Sequence, residues 1–379
     1  MKRISCMLVA LLLLGSIFAL TSFGAADVIK IGVFEPITGA NAAGGQLEVE
    51  GAQLANQLYP KVLGKKVELV IADNGSDKTQ AATAAARLVE KDKVAAIIGS
   101  WGSSLSMAAG DIVKNAQVPA VGASCTNPLV TQGNPYYFRV CFIDPFQGTV
   151  MANYAFKKLK AKKAAIVQEV SNDYAVGLAK FFTDSLIKLT GDKNCVVAVA
   201  NYNTGDQDFS AQLTNIKAKK PDVIFAPGNF TESALVISQA KQLGITAPFL
   251  GGDTYETPEF ISIGGKAVEG TVFSTFFDSN KPITKESKVF LNAYRKKYAG
   301  KEPAAVTALG YDAYLVIINA IKKAKSTDGP KVQAALVATK NYPGAAGTIS
   351  FDENRNAIKS AVIKVVKDGK FTYMDTVKP

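Results

Sequence analysis

Short apolar runs alternate with longer amphipathic stretches along most of the chain. Runs at 28–34, 66–73, 94–99 and 119–124 are nearly continuous in Val, Ile and Ala, without strict two-residue alternation. That is how strands covered on both faces read. Between them, 46–58, 79–91 and 103–115 have helical character, the second rich in Ala. Strand and helix in alternation predict a parallel sheet with right-handed crossovers. A β-like run at 136–142 ends this set, and the alternation then begins again. Helices are expected at 145–159, 174–189, 209–219 and 232–243, and strands at 164–169, 195–200, 222–226 and 248–252. After a strand-like 270–277 the rhythm breaks into three helical stretches, 285–298, 306–324 and 331–339. Two β-like runs, 347–351 and 360–366, a turn at Gly369-Lys370 and a short run at 371–374 complete the chain.

One continuous sheet would be very wide for so many strands. The pattern therefore predicts an α/β protein of two doubly wound lobes. The first comprises 27–143 plus 276–350, the second 144–275 plus 351–379. The short turn at 352–354 would carry the last of three crossings, and several parallel connections make a hinge that can close on a ligand.

Composition narrows the chemistry. The 379 residues are 48% hydrophobic and 20% charged, enough for two cores and too apolar for a disordered chain. There is no histidine. That removes Ser-His-Asp and Cys-His catalysis, His-ligated zinc and proximal-His haem, while lysine or carboxylate chemistry survives. No nucleotide-binding glycine motif occurs, and no CxxC or other metal-ligand spacing. Neither a metal nor an organic cofactor is expected.

Lys2 and Arg3, the apolar run 7–20 and the small residues Gly24-Ala25-Ala26 read as an export leader cleaved near Ala26. The run is shorter than the roughly 20 residues that span a bilayer. Residues 1–26 are therefore set aside as the signal peptide of a protein exported beyond the inner membrane. Three cysteines remain after it, Cys125, Cys141 and Cys195, so at least one thiol is free; a Cys125–Cys141 bridge stays open. Without Lys2 and Arg3 the basic count falls from 43 to 41, against 32 acidic residues, a charge of +9. The excess is mostly Lys on helix ends and Arg is scarce, so a solvated surface is expected and no nucleic-acid partner.

Ligands in open α/β sheets bind beyond the carboxyl ends of strands. In the first lobe these positions hold Gly99-Ser100-Trp101-Gly102-Ser103-Ser104 and Ser124-Cys125-Thr126-Asn127-Pro128. Hydroxyl-rich turns suit an anion, or alternatively cap helices. In the second lobe they hold Ser171-Asn172-Asp173-Tyr174, Gly228-Asn229-Phe230 and Gly251-Gly252-Asp253-Thr254-Tyr255. Asp253 either holds an ammonium or caps the next helix. Hydroxyls on one side and a carboxylate with aromatics on the other complement a zwitterion.

With these residues in place the chain resembles the periplasmic solute-binding proteins of type I fold, the leucine/isoleucine/valine-binding family of branched-chain amino acid ABC transporters. The likeness is carried by Ile31-Gly32-Val33-Phe34-Glu35-Pro36-Ile37-Thr38-Gly39, Ile97-Ile98-Gly99 and Thr126-Asn127-Pro128. Tyr137-Phe138-Arg139, Gln147-Gly148, Tyr174-Ala175-Val176-Gly177-Leu178-Ala179 and Gly310-Tyr311-Asp312-Ala313 continue it over essentially the whole chain. The resemblance implies that Ser103 binds a ligand carboxylate. It implies that Ser124 and Thr126 supply a backbone group and a hydroxyl, that Tyr174 covers the ligand, and that Asp253 takes the α-ammonium. Trp101, Ser104, Asn229 and Phe230 complete the expected ligand-binding set. Gly44 and Asn229 stand where the family often places aromatics, and Trp101 is a large residue on the pocket side. A non-catalytic monomer is expected, capturing a free amino acid with an aliphatic side chain and delivering it to a membrane-embedded ABC permease. An amide, urea or aromatic-acid receptor, a sensory input protein, or an enzyme with a second acid facing Asp253 are the alternatives.

Overall fold

Residues 28–379 are described by the computed structural model; the expected leader, with Cys6, lies outside them. The first strands and helices are β1 (Ile29–Glu35), α1 (Ala42–Leu58), β2 (Lys61–Val62), β3 (Lys65–Asp73), α2 (Lys78–Ala86), β4 (Ala96–Ile98), α3 (Ser103–Ala108), α4 (Gly110–Ala116), β5 (Ala120–Gly122) and β6 (Tyr137–Arg139). Their strands form one sheet in the order β2-β3-β1-β4-β5-β6, parallel except where β2 meets β3. Ile31 and Val33 of β1, Ile98 of β4 and Val121 of β5 are fully buried, as expected for strands with helices on both faces.

The chain continues through α5 (Asp144–Asn153), β7 (Ala164–Glu169), α6 (Asp173–Thr190), β8 (Val196–Tyr202), α7 (Ser210–Lys219), β9 (Val223–Phe225), α8 (Phe230–Gln242), β10 (Phe249–Gly251), α9 (Pro258–Gly264) and β11 (Val272–Thr275). Helices α10 (Lys285–Lys297), α11 (Ala305–Ala324) and α12 (Gly329–Val337) follow. After them come β12 (Tyr342–Gly344), β13 (Gly347–Ile349), β14 (Ala361–Lys367) and β15 (Lys370–Val377). The second sheet runs β15-β14-β11-β10-β9-β7-β8. Its β14 and β15 are antiparallel.

The chain passes between the two sheets after β6, after β11 and after β13. The first and third passages pair with each other: Arg139 N donates to Arg355 O at 3.2 Å, and Ala357 N to Arg139 O at 3.2 Å. In each sheet the strand order reverses direction at one strand, at β1 between β3 and β4 and at β7 between β8 and β9. At such reversals the connecting helices diverge and leave a crevice.

Several details differ from the sequence expectation. Helix α1 starts at Ala42, four residues early, because its Gly44-Gly45 pair, poor helix formers in isolation, lies under the side chains of Trp101 and Pro36. The run at 347–351 joins neither sheet; β13 pairs only with β12. The last hairpin turns at Asp368-Gly369, one residue earlier than expected, with φ of 53° and 66°. Two positive φ angles in a two-residue connection demand Asp-Gly or Asn-Gly. Helix α9 was not expected at all. Helix α11 has the length and mean hydropathy of a membrane span, yet it is 83% buried by protein, as an all-round apolar core helix should be.

Helices α1 and α11 cross with almost no gap. A methyl group on Gly51 would sit 1.9 Å from Thr307 O, and one on Gly310 2.2 Å from Glu48 O. Gly310→Ala should therefore force the helices apart. Overpacking of this kind costs about 1–3 kcal/mol, and a lowered thermal midpoint in calorimetry checks it.

Candidate ligand-binding cleft

The carboxyl ends of both sheets face one another. Between them lies a cavity lined by Trp101, Gly102 and Ser103 after β4, Ser124 after β5, Asn172 and Tyr174 after β7, Asn229 after β9, and Asp253 and Thr254 after β10. Asp253 is the one carboxylate among these described lining residues. It is 3% exposed. Its Oδ1 accepts from Gln147 Nε2 at 2.7 Å and from the Tyr174 hydroxyl at 3.0 Å. Burial raises its pKa to about 6, although both hydrogen bonds pull the other way. Desolvation of a lone carboxylate wins until a cation arrives.

Across the cavity, Ser103 opens α3. Its Oγ accepts from Asn127 N at 3.0 Å, which leaves the hydroxyl proton free to donate. Thr126 is fully buried beside the equally buried Asp144, whose carboxyl its hydroxyl helps hold down in pKa against burial. The loop that carries it is held by Arg139, whose buried guanidinium donates to Cys125 O at 2.6 Å, Asn127 O at 2.7 Å and Thr131 Oγ1 at 3.0 Å. Cys125, Cys141 and Cys195 are buried free thiols, so no bridge joins the first two.

Two buried acids back the first-lobe turns. Glu35 Oε2 accepts from Trp101 N at 2.6 Å, and Glu48 accepts from Ser124 Oγ. Burial raises both pKa values, that of Glu48 to about 8. Ser124 thus lines the cavity with its hydroxyl already committed to Glu48.

Not every expected residue reaches the cavity. Ser104 faces its rim, where its hydroxyl donates to Asp173 Oδ2 at 2.7 Å and accepts from Asp173 N at 3.0 Å. Phe230 stands one layer back, edge-on to Trp101 at 6.1 Å between centroids. Thr126 lies beneath the lining rather than in it. Asn229 does line the cavity, and its amide also crosses the cleft to Asn41 Oδ1 at 2.9 Å.

Ser104–Asp173 and Asn229–Asn41 are two of several bonds between the sheets. Lys78 Nζ meets Asp173 Oδ2 at 2.9 Å, and Asn127 Nδ2 donates to Asp173 O at 2.8 Å. The cleft is closed in this structure, with Asp173 as its main latch. Sequence reading quoted Asp173 and Gln147 within motifs but gave neither a role, because the partners of each lie at least 46 residues away. Glu35 and Glu48 gave no signal, since a lone Glu on a strand end or helix usually faces solvent.

A family model described as Periplasmic binding protein matches residues 28–370. The chain belongs to that family. This periplasmic binding protein is 32% identical over 338 residues to an amino acid binding protein of Pseudomonas aeruginosa, covering 88% of this chain and 87% of the relative. It is 33% identical to the Leu/Ile/Val-binding protein BraC3 of Rhizobium johnstonii, covering 86% and 88%. Among solved structures, the leucine binding protein LivK of Thermotoga maritima superposes with a TM-score of 0.89 at 45% identity, over 93% of this chain and 99% of that one. LivJ of Streptococcus pneumoniae, a branched-chain amino acid transporter substrate binding protein solved with isoleucine, gives 0.86 at 35% identity, over 93% and 100%. These similarities establish the type I fold.

Asp173 is about half exposed and its ion pair with Lys78 is worth little by itself, but its hydrogen bonds to Ser104 tie the turns of the two sheets together. Asp173→Ala should weaken ligand binding by about fivefold, the equivalent of about 1 kcal/mol. Scattering should show a larger radius of gyration for the unliganded variant than for unliganded wild type, with the saturated proteins equal in size.

Proposed function

We propose that this periplasmic binding protein captures an aliphatic L-α-amino acid, of the branched-chain class named for its relatives, and delivers it to a membrane-embedded ABC permease. The observation that carries the reading is Asp253, a buried carboxylate held only by the neutral side chains of Gln147 and Tyr174 among the described residues, facing hydroxyl-bearing turns across a closed cleft. The ligand ammonium sits against Asp253 and the Tyr174 hydroxyl. Its carboxylate accepts from Ser103 Oγ, with the backbone at Ser124 beside it and Thr126 one layer behind. Trp101, Asn172 and Asn229 bound the remaining space.

The lobes in this reading are 27–143 plus 276–350 and 144–275 plus 351–379, moving about the three passages between the sheets. The two sheets support this division, since strands β1–β6 fall in the first and β7–β11, β14 and β15 in the second. The receptor acts as an exported monomer, its leader removed near Ala26, and performs no catalysis. Closure brings ligand and latch contacts together, so binding selects the closed state.

A panel of L-amino acids, matched with the free amine and free acid of each, tests the reading. A ligand that binds only the folded state stabilises it by about 4 kcal/mol at a thousandfold excess over Kd. An aliphatic L-amino acid should raise the melting temperature, while the half-charged analogues should not. A shift by amides or aromatic acids alone would overturn the amino-acid reading.

Asp253→Asn keeps the size but removes the charge, leaving the ligand ammonium unpaired in a dry site. Such losses cost about 2–5 kcal/mol, so affinity should fall roughly 30-fold to several thousandfold by calorimetry. If Asp253 only capped a turn, affinity would stay near wild type.

The pH dependence follows from the same group. Above its raised pKa of about 6, Asp253 is charged and ready for an ammonium. Below it, binding must first expel a proton, so affinity should fall towards tenfold per pH unit. Titrations from about pH 7.5 to about pH 5 should show this fall in wild type and its absence in Asp253→Asn.

A further inference from the structure

We infer that Trp101 sets the length of side chain this receptor accepts, so that it ranks alanine and valine above leucine and phenylalanine. The inference rests on the amino-acid reading above and deepens it. With the ammonium at Asp253 and the carboxylate at Ser103, the ligand side chain can only point to the rest of the lining, Trp101, Asn172 and Asn229.

That wall leaves little room. In the closed state the cavity measures about 10 Å³, roughly what one water needs. A ligand must therefore gain its room by small shifts of the lining, and Asn172, Asn229, Tyr174 and Asp253 can shift together with the second sheet. Trp101 cannot recede with them. It lies two residues before Ser103 on the same turn, so the distance from the carboxylate anchor to the indole is independent of the hinge angle. Hinge opening cannot relieve a collision between a long side chain and this ring.

The ring cannot retreat within its own lobe either. Trp101 is 2% exposed and seated on the first turn of α1. A methyl group on Gly44 would lie 2.4 Å from its Cε2, so the indole already touches helix backbone. The turn that carries it is fixed too, since the Trp101 backbone N–H donates to Glu35 Oε2 at 2.6 Å. Only the space in front of the ring is left for the side chain.

Calorimetry of wild type and Trp101→Ala with L-alanine, L-valine, L-leucine and L-phenylalanine tests this. Wild type should bind alanine or valine at least about tenfold more tightly than leucine or phenylalanine, the scale set by excess side-chain carbons in a fixed pocket. Trp101→Ala should bind leucine at least about tenfold more tightly than wild type does. Trp101→Leu, which keeps an apolar side chain in place, should shift the same way if the alanine variant does not fold. Leucine or phenylalanine binding wild type as tightly as alanine and valine would overturn the length limit and leave the amino-acid reading standing. Binding of no L-amino acid, with amides or aromatic acids bound instead, would overturn both.

Discussion

The cleft is organised around a buried carboxylate whose side-chain partners among the described residues are neutral. Asp253 is held by a neutral amide from Gln147 and a phenol from Tyr174, and burial lifts its pKa to about 6. Two neutral donors cannot match the hydration a carboxylate gives up. The residual cost is a standing preference for a positive charge at this point. The donors themselves come from α5 and α6, and the carboxylate from the end of β10, so three elements of the second sheet must be packed before the charge is in place.

The opposite wall is built to stay rigid. Arg139 is buried with its guanidinium on the carbonyls of the Cys125–Asn127 segment, while its backbone pairs with Arg355 and Ala357 on the third passage between the sheets. The same residue thus fixes the hydroxyl-bearing turn and sits at the hinge. Glu35 and Glu48 brace the turns after β4 and β5 from behind. The contacts between the two sheets that run through Asp173 are weak and exposed, as the proposed capture and release of a ligand would require.

The alternation of β and α segments was legible because strands buried on both faces must be apolar throughout, and because Gly, Pro and Asp punctuate their ends. The doubly wound class and the two sheets follow from that alone. Boundaries were less legible. Gly44-Gly45 hid the start of α1, since helix propensity cannot register that a tryptophan from 57 positions later needs that surface. The strand-like composition of 347–351 did not reveal that its partner is the neighbouring β12 rather than a sheet.

For the site, residue type and position after a strand picked out Trp101, Ser103, Ser124, Tyr174, Asn229 and Asp253, all of which line the cavity. This works because parallel topology puts every strand end on one side of its sheet. The same rule could not separate Ser103 from Ser104. On α3 neighbouring side chains point about 100° apart, and only the approach of the second sheet turns Ser104 towards Asp173 while Ser103 faces the cavity. The sequence by itself determined the fold class and the absence of histidine chemistry, because these depend on composition and local order. Which acids are buried, which hydroxyls are already spent and how much space Trp101 leaves were decided by tertiary structure alone, because each depends on groups brought together from distant parts of the chain.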